Sequence, residues 1–209
     1  IVFSEDVYQC RKHMGYEMAK EAPTDAELVM PFPDSGVYAA IGFAHAAGVP
    51  YEQAYIRNHY VGRTFIQPSQ TMRNFGVRVK LNPVRSMIKN RRICIVDDSI
   101  VRGTQLRETT EFLYESGAKE VHIRPACPPL VYGCKYLNFS RSSSEMDLIT
   151  RRVIAKLEGT DEVPNEVLQQ YTDPNSEKYD QMIEEIRKEL KFTSLQYNRL
   201  DDMLESVGI

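Results

Sequence analysis

The stretch "RRICIVDDSIVRGTQ", residues 91–105, places two adjacent carboxylates at the end of an apolar run and follows them with a loop of small residues. Its first part, residues 91–98, is apolar enough to be a strand buried on both faces, as the strands of parallel sheets are. A helix is predicted over residues 104–116, ending at Gly117. The stretch therefore predicts a strand, a loop and a helix, the repeating unit of an α/β fold.

Strands and helices alternate along the rest of the chain as well. Residues 14–22, 36–48, 179–190 and 200–207 have helical spacing, whereas residues 27–32, 51–56 and 120–126 are predicted strands. Strands that alternate with helices favour a parallel sheet with helices on both faces. The predicted fold class is therefore α/β, with a twisted, mainly parallel sheet.

Composition limits the classes of protein that this chain can represent. Its 209 residues, 42% of them hydrophobic, suffice for one domain of ordinary size with an appendage. The longest apolar runs fall far short of the ~20 residues that cross a bilayer, and the start lacks a signal-peptide pattern. Four cysteines do not make a disulfide framework in a chain of this length. We predict a cytoplasmic protein with no membrane partner.

Charge is distributed unevenly along the chain. No acidic residue lies between Glu52 and Asp97, whereas the chain after Leu157 is rich in Glu and Asp. The basic block predicts an anionic ligand, and the net charge of −3 argues weakly against nucleic acid. An RNA-binding patch or an ordinary solvated face is the alternative interpretation. The basic residues of the block are Arg57, Arg63, Arg73, Arg78, Lys80, Arg85, Lys89, Arg91 and Arg92.

Two loops are expected at the carboxyl edge of the sheet, where ligands of such folds bind. The first enters a helix through Asp34, Ser35 and Gly36, and a helix N-terminus attracts anions through its unpaired N–H groups. In the second loop, Gly103 permits an unusual backbone conformation and hydroxyl side chains supply donors. The second loop should therefore hold a phosphate.

The two carboxylates that precede this loop call for a different partner. A carboxylate only accepts hydrogen bonds, so it suits a vicinal diol or a divalent cation. Asp97 and Asp98 therefore suggest a ribose whose 5′ oxygen carries the phosphate. The alternative is that they only finish a strand and cap the next helix.

Four motifs in order carry a resemblance to a known family. These are "PFPDSGVYAAIGFA", "NHYVGRTFIQPSQTMR", "GVRVKLNPVR" and "VDDSIVRGT". Together they resemble the glutamine phosphoribosylpyrophosphate amidotransferases, which belong to the type I phosphoribosyltransferases. The resemblance covers roughly residues 1–149 and resumes weakly near the C-terminus. It implies the type I phosphoribosyltransferase fold.

The resemblance also implies a reaction and a domain organisation. Family members join a glutaminase domain, which has an N-terminal cysteine, to a domain that transfers the released ammonia to C1 of phosphoribosyl pyrophosphate (PRPP). The chain opens on "IVFSEDVYQC", and none of its cysteines is N-terminal. We therefore expect a phosphoribosyltransferase domain without the glutaminase domain, dependent on ammonia at most. The expected divisions are a linking segment at 1–25, the transferase domain at 26–150, and an acidic insertion with helices at 151–209.

Site residues follow from the same resemblance. Asp97 and Asp98 would hold the ribose hydroxyls and Mg²⁺, and Ser35 would be a further metal ligand. Pyrophosphate would bind to the loop of Asp34, Ser35 and Gly36. The 5′-phosphate would bind to the loop formed by Ser99, Ile100, Val101, Arg102, Gly103 and Thr104.

Residues 58–90 show little periodicity, and a loop of that length is usually functional or disordered. We predict a basic lid that excludes water from the site when it closes. The resemblance implies that substrate is contacted, or the lid ordered, by Arg57, Tyr60, Arg63 and Lys80.

Further expectations concern cofactors and partners. Some family members carry an iron–sulfur cluster, and Cys134 falls where one ligand would lie. The other ligands are missing from this sequence, so a cluster is expected only in a longer chain. The four histidines lack metal-type spacing. The resemblance further implies AMP and GMP as feedback inhibitors and a homo-oligomer. The alternatives are a nucleobase phosphoribosyltransferase and a non-catalytic PRPP- or nucleotide-binding regulator of the same fold.

Overall fold

A computed structural model of the chain describes residue 1 and residues 4–57, 81–134 and 145–209. Strands and helices alternate through its first two thirds, and helices dominate the last third. In chain order the elements are α1 (Val7–Glu21), β1 (Leu28–Pro31), α2 (Val37–Ala47), β2 (Tyr55–Arg57), β3 (Leu81–Pro83), α3 (Arg85–Ile88), β4 (Arg92–Asp97), α4 (Thr104–Glu115), β5 (Glu120–Pro125), a 3₁₀ helix (Glu145–Asp147), α5 (Ile149–Glu158), α6 (Asn165–Gln170), α7 (Glu177–Glu189), β6 (Ser194–Leu195) and α8 (Leu200–Ser206).

The main sheet has four strands in the order β1-β4-β5-β6, and all three pairings are parallel. In register, Pro31 lies opposite Val96, and Asp97 lies opposite Pro125. The predicted parallel sheet is therefore confirmed. Strand β6, which has two residues, was not predicted, because so short a segment shows no measurable period.

Helices cover both faces of this sheet. Side chains alternate along β4, so that Ile93 and Ile95 pack into one hydrophobic cluster while Cys94 and Val96 pack into another. The second cluster contains α1 and α2, represented by Met18 and Phe43, and the first contains α4, α5 and α7. A strand buried on both faces explains why residues 93–96 form an uninterrupted apolar run.

Strands β2 and β3 form a separate antiparallel pair, in which Tyr55 lies opposite Pro83. The Tyr55 hydroxyl donates a 3.0 Å hydrogen bond to the backbone oxygen of Thr109 in α4, which joins the pair to the core. Residues 81–90 of the predicted lid form β3 and α3, and Ile88 is fully buried. Residues 58–80 of the lid lie outside the described part of the chain.

The two predicted C-terminal helices, over residues 179–190 and 200–207, correspond to α7 and α8 in the structure. The polar insertion between α5 and α7 contains the short helix α6. It is attached to α5 through Tyr171, which is fully buried and whose hydroxyl donates to Glu158 Oε1 over 2.6 Å. Within the described ranges, no helix combines the length and apolar character needed to span a membrane.

At the amino edge of the sheet, His122 on β5 is buried among charged groups. Its Nε2 lies 3.2 Å from Glu120 Oε2 and 3.8 Å from Asp25 Oδ1, and its Nδ1 lies 2.8 Å from Ser194 Oγ. The Arg124 guanidinium also donates to Ser194 Oγ, over 3.0 Å. Burial, and then the charge of Arg124, lower the pKa of His122, and the two carboxylates oppose this effect only partly.

His122 is therefore expected to make stability pH-dependent. A histidine whose pKa falls on folding binds more protons in the unfolded state, so its contribution is complete above pH 6.5 and is lost as the pH falls. Between pH 7.5 and 5.5 the free energy of unfolding of wild type should fall by roughly 1 kcal/mol more than that of His122→Gln. Urea denaturation at both pH values measures this difference, and equal losses in the two proteins would contradict the prediction.

Candidate active site at the carboxyl edge of the sheet

Strands β1 and β4 are adjacent and parallel, so the loops that follow them lie side by side at the same edge of the sheet. The backbone N–H of Phe32 donates a 2.8 Å hydrogen bond to the oxygen of Val96, which extends the strand pairing into the first loop. A Cβ atom added to Gly36 would lie 2.2 Å from the same Val96 oxygen. Only glycine allows the two loops to approach so closely. The structure thus brings together the two predicted anion-binding loops.

The first loop, residues 32–36, connects β1 to α2. The peptide bond between Pro33 and Asp34 is cis, and α2 begins directly after the loop, at Val37. Asp34 is exposed, whereas the side chain of Ser35 forms a hydrogen bond with the carboxylate of Asp97. The predicted pyrophosphate loop therefore contacts the diacid directly.

The two carboxylates of the diacid have different environments. Asp97, the last residue of β4, is only 4% exposed, and Asp98 is half-buried. The backbone N–H of Asp98 donates to Asp97 Oδ1 over 2.8 Å, and Ser99 Oγ lies 3.4 Å from Asp98 Oδ1. Burial, followed by the negative charge of Asp98, raises the pKa of Asp97 well above its usual value. A cation bound here would relieve both unfavourable effects.

The second loop runs from Ser99 to α4, which begins at Thr104. Ile100 is buried and anchors the loop, and Gly103 has a φ of +76°, a conformation that favours glycine. Among the described residues, the backbone N–H groups of residues 99–104 find no acceptor. Unsatisfied N–H groups beside a helix N-terminus form a site for an anion such as phosphate.

A third segment supports the diacid from the neighbouring strand. Directly after β5, the N–H groups of Ala126 and Cys127 donate to the backbone oxygens of Asp97 and Asp98 over 2.8 and 2.9 Å. Burial, and then the charge of Asp98, raise the pKa of Cys127 to about 11, so the thiol is neutral at pH 7. Sequence reasoning missed this support, although the adjacency of β4 and β5 would have indicated it.

The structure describes some of the predicted site residues and not others. One contiguous site contains Asp34, Ser35 and Gly36 together with residues 97–104. Arg57 lies at the end of β2, and Cys134 is half-buried. Tyr60, Arg63 and Lys80 lie outside the described residues, so their roles stay predictions.

The donor atoms at the centre of the site suit a hard divalent cation. Carboxylate oxygens of Asp97 and Asp98 and the hydroxyl of Ser35 are all oxygen ligands, which Mg²⁺ prefers. The raised pKa of the buried Asp97 shows that its ionised form lacks full compensation in the protein alone. These residues therefore fit the Mg²⁺ ion that the sequence predicts.

This fold, with a diacid between two anion-binding loops at the carboxyl edge, defines a type I phosphoribosyltransferase domain, and the predicted fold class is confirmed. No family model matches the chain. The chain is 36% identical to the glutamine PRPP amidotransferase from B. subtilis, solved with ADP and GMP. It matches that structure with a TM-score of 0.74, over 97% of this chain and 38% of the other. A structure described as the allosteric regulatory enzyme of purine biosynthesis matches over 97% of this chain and 37% of the other, with the same identity and TM-score.

Curated relatives give the same result. The chloroplastic amidophosphoribosyltransferase of Glycine max is 50% identical over 165 residues, which cover 77% of this chain and 29% of the relative. That of Synechocystis is 48% identical over 157 residues, covering 75% of this chain and 32% of the relative. These relatives are amidophosphoribosyltransferases, and the part of this chain that matches them spans about a third of their length.

Removing the buried charge of the site should stabilise the metal-free protein. Asp97→Asn retains an oxygen that can accept from the N–H of Asp98, but it no longer places a carboxylate in a buried position beside a second one. Because folding raises the pKa of Asp97, ionisation destabilises the native state, and the substitution should increase the free energy of unfolding by about 1 kcal/mol at pH 7.5. Urea denaturation in EDTA measures this change.

The half-buried Asp98 provides the matched control for this measurement. Asp98→Asn removes the same charge from a better solvated position, so it should change the free energy of unfolding by less than Asp97→Asn does. A loss of stability in Asp97→Asn would refute the assignment of a buried, uncompensated carboxylate.

Proposed function

We propose that this chain transfers ammonia to C1 of PRPP, giving 5-phosphoribosylamine and pyrophosphate, the first committed step of de novo purine biosynthesis. The observation that carries the proposal is the position of the diacid, which lies between two loops suited to anions at one edge of the sheet. PRPP has the same order of groups, with a diol between a 5′-phosphate and a 1-pyrophosphate. The relatives named above are amidophosphoribosyltransferases, which supports the assignment of this reaction.

Each part of PRPP has a matching part of the site. The N–H groups of residues 99–104 and the N-terminus of α4 would bind the 5′-phosphate. Asp97 and Asp98 would accept hydrogen bonds from the ribose hydroxyls. The loop of residues 34–36, held beside Asp97 by Ser35, would bind the pyrophosphate.

Mg²⁺ would be held by Asp97, Asp98 and the hydroxyl of Ser35. When bound, it supplies positive charge that offsets the negative charge of the pyrophosphate and ribose oxygens. The protein contributes fixed positions for these oxygen ligands, since Asp97 is anchored by the N–H of Asp98 and by Ser35. This anchoring favours one geometry of the site before substrate arrives.

The reaction requires no covalent nucleophile from the protein. Ammonia attacks C1 with inversion while the bond to pyrophosphate breaks, which builds positive charge on the sugar and negative charge on the leaving group. Catalysis then depends on positioning and on electrostatic stabilisation of these charges. Arg57, Tyr60, Arg63 and Lys80 would bring cations and hydrogen-bond donors to the pyrophosphate from the basic lid.

The source of ammonia and the assembly state are further parts of the proposal. The relatives are more than twice as long as this chain, and we propose that a glutaminase domain supplies ammonia from glutamine in the full enzyme. A homo-oligomer in the cytoplasm is proposed as well, although the plant relatives are named chloroplastic. Cys134 would become a cluster ligand only in a longer chain that supplies the other ligands.

Pyrophosphate release from PRPP tests the proposal. Wild type with Mg²⁺ and ammonium at alkaline pH should release pyrophosphate, and Asp97→Asn/Asp98→Asn should reduce the rate at least 100-fold because the ribose and metal ligands are lost. Asp161→Asn, an exposed carboxylate on the insertion, is the control and should retain the wild-type rate.

The same assay distinguishes the alternative functions. Pyrophosphate release that requires a purine or pyrimidine base in place of ammonia would show a nucleobase phosphoribosyltransferase. PRPP binding without release under any of these conditions would show a regulator, or an enzyme that needs the glutaminase domain. Each of the two results would contradict ammonia-dependent transfer by this chain.

We also propose that purine nucleoside monophosphates bind at this site as feedback inhibitors, since they share a ribose 5-phosphate with PRPP. The structure from B. subtilis, which contains ADP and GMP, supports a nucleotide-binding role for this fold. GMP and AMP should each raise the apparent KM for PRPP, whereas guanosine, which lacks the phosphate, should have little effect because the loop of residues 99–104 has no anion to bind. Initial rates of pyrophosphate release that do not change with GMP or AMP would refute the proposal.

A further inference from the structure

Helix α5 lies behind the loop of residues 99–104, and the side chain of its Arg152 donates a hydrogen bond to the loop backbone. Arg152 Nη2 donates a 2.9 Å hydrogen bond to the backbone oxygen of Arg102. Its Nη1 donates to the backbone oxygen of Asp147 over 3.1 Å, and Nη2 lies 3.7 Å from Glu189 Oε1 on α7. One guanidinium thus connects the loop, the 3₁₀ helix and two helices of the core.

The neighbouring carbonyl of the loop is held from the same side. The N–H of Ile149, the first residue of α5, donates a 2.9 Å hydrogen bond to the oxygen of Val101. Two consecutive carbonyls, those of Val101 and Arg102, are therefore directed towards α5. In a loop that is expected to bind a dianion, carbonyl oxygens on the ligand side would be repulsive, so their direction matters.

Because the peptide bond is planar, fixing the direction of each carbonyl also fixes the direction of the N–H group that follows it. The bonds that follow Val101 and Arg102 are trans, and in a trans peptide the C=O and the following N–H point in opposite directions. With both oxygens directed towards α5, the N–H groups of Arg102 and Gly103 must point away from α5. Both are among the N–H groups that find no acceptor within the described residues.

Side-chain packing restricts the loop further, but it does not fix the orientation of the peptide between Arg102 and Gly103. A Cβ atom at Gly103 would lie 2.7 Å from Ile149 Cδ1 and 2.9 Å from Leu190 Cδ2, so the loop is in tight contact with α5 and with the end of α7. However, glycine permits a wide range of φ, and the peptide between Arg102 and Gly103 could rotate without moving either Cα atom far. The hydrogen bond from Arg152 opposes that rotation.

We propose that Arg152 is a positioning residue that orients the Arg102–Gly103 peptide so that its N–H faces the 5′-phosphate of the substrate. It acts through the loop backbone and does not touch the ligand. This inference rests on the proposed function, because it takes the anion at this loop to be the 5′-phosphate of PRPP. The inference adds Arg152, which lies about fifty positions after the loop in the sequence, to the residues on which binding of the 5′-phosphate depends.

The chain provides a matched control on the same helix. Lys156 lies one turn after Arg152 and forms an ion pair of 2.8 Å with Glu185 on α7, as Arg152 does more loosely with Glu189. Both residues therefore connect α5 with α7 through a carboxylate, but Lys156 is not adjacent to the loop. Any effect that Arg152→Met shows and Lys156→Met does not show therefore comes from the contacts of Arg152 with the loop and the 3₁₀ helix, and not from its ion pair with α7.

The experiment measures the binding of two ligands that each represent one half of PRPP, ribose 5-phosphate and Mg²⁺-pyrophosphate, and it also measures turnover of PRPP. Arg152→Met should weaken binding of ribose 5-phosphate about tenfold and raise KM for PRPP by a similar factor, with kcat changed less than about threefold. Binding of Mg²⁺-pyrophosphate, which uses the loop of residues 34–36, should stay within about twofold of wild type. Lys156→Met should match wild type in all these measurements.

A conservative variant keeps the test valid if Arg152→Met folds poorly. Arg152→Lys can still donate one hydrogen bond to the Arg102 oxygen and should recover part of the affinity for ribose 5-phosphate. Unchanged binding of ribose 5-phosphate in Arg152→Met, or equal losses for ribose 5-phosphate and pyrophosphate, would overturn the inference. Failure of wild type to bind ribose 5-phosphate or PRPP would instead overturn the proposed function itself.

Discussion

The parallel pairing of β1 with β4 is the constraint on which the rest of the site depends. It continues past the strand ends through the hydrogen bond from Phe32 N–H to the Val96 oxygen, and the close approach at Gly36 completes it. A shift of one residue in this register would exchange the faces on which the side chains of β4 lie, and Asp97 would no longer meet Ser35. Correct pairing of two buried strands therefore determines whether both anion-binding loops face one ligand.

The site contains two neighbouring carboxylates that repel one another when no cation is bound. Two loops offer N–H groups to anions, while a carboxylate pair between them has its charge partly buried. The proposed ligand, with phosphates at both ends and hydroxyls in the middle, would satisfy all of these groups, and a divalent cation would offset the carboxylates. Burial and the charge of Asp98 raise the pKa of Asp97, so the ionised carboxylate costs stability in the protein without a cation.

Sequence reasoning located the central elements because their signals are local. The apolar run at residues 93–96 and the loop that follows it predict β4, the diacid and α4 with nearly correct bounds. Helix α1 was predicted only from residue 14, because the capping of its N-terminus by Asp6 is a single weak signal without apolar periodicity. The contacts of Cys127 and Arg152 with the site depend on strand order and on packing between distant segments, which no local pattern records.

The C-terminal helices are part of the site's support, which explains why the loop can keep so many unpaired N–H groups. Such a loop has little internal hydrogen bonding to fix its shape, so the shape must be imposed from outside. Ile149 and Arg152 hold its carbonyls, and Leu190 packs against Gly103 together with Ile149. This packing crosses the domain division predicted at residue 150, since Arg152 and Leu190 follow the division and Gly103 precedes it. The fold and the loop of residues 99–104 therefore depend on the same helices, and we infer that a change at the α5–α7 interface would alter ligand affinity through the backbone of this loop.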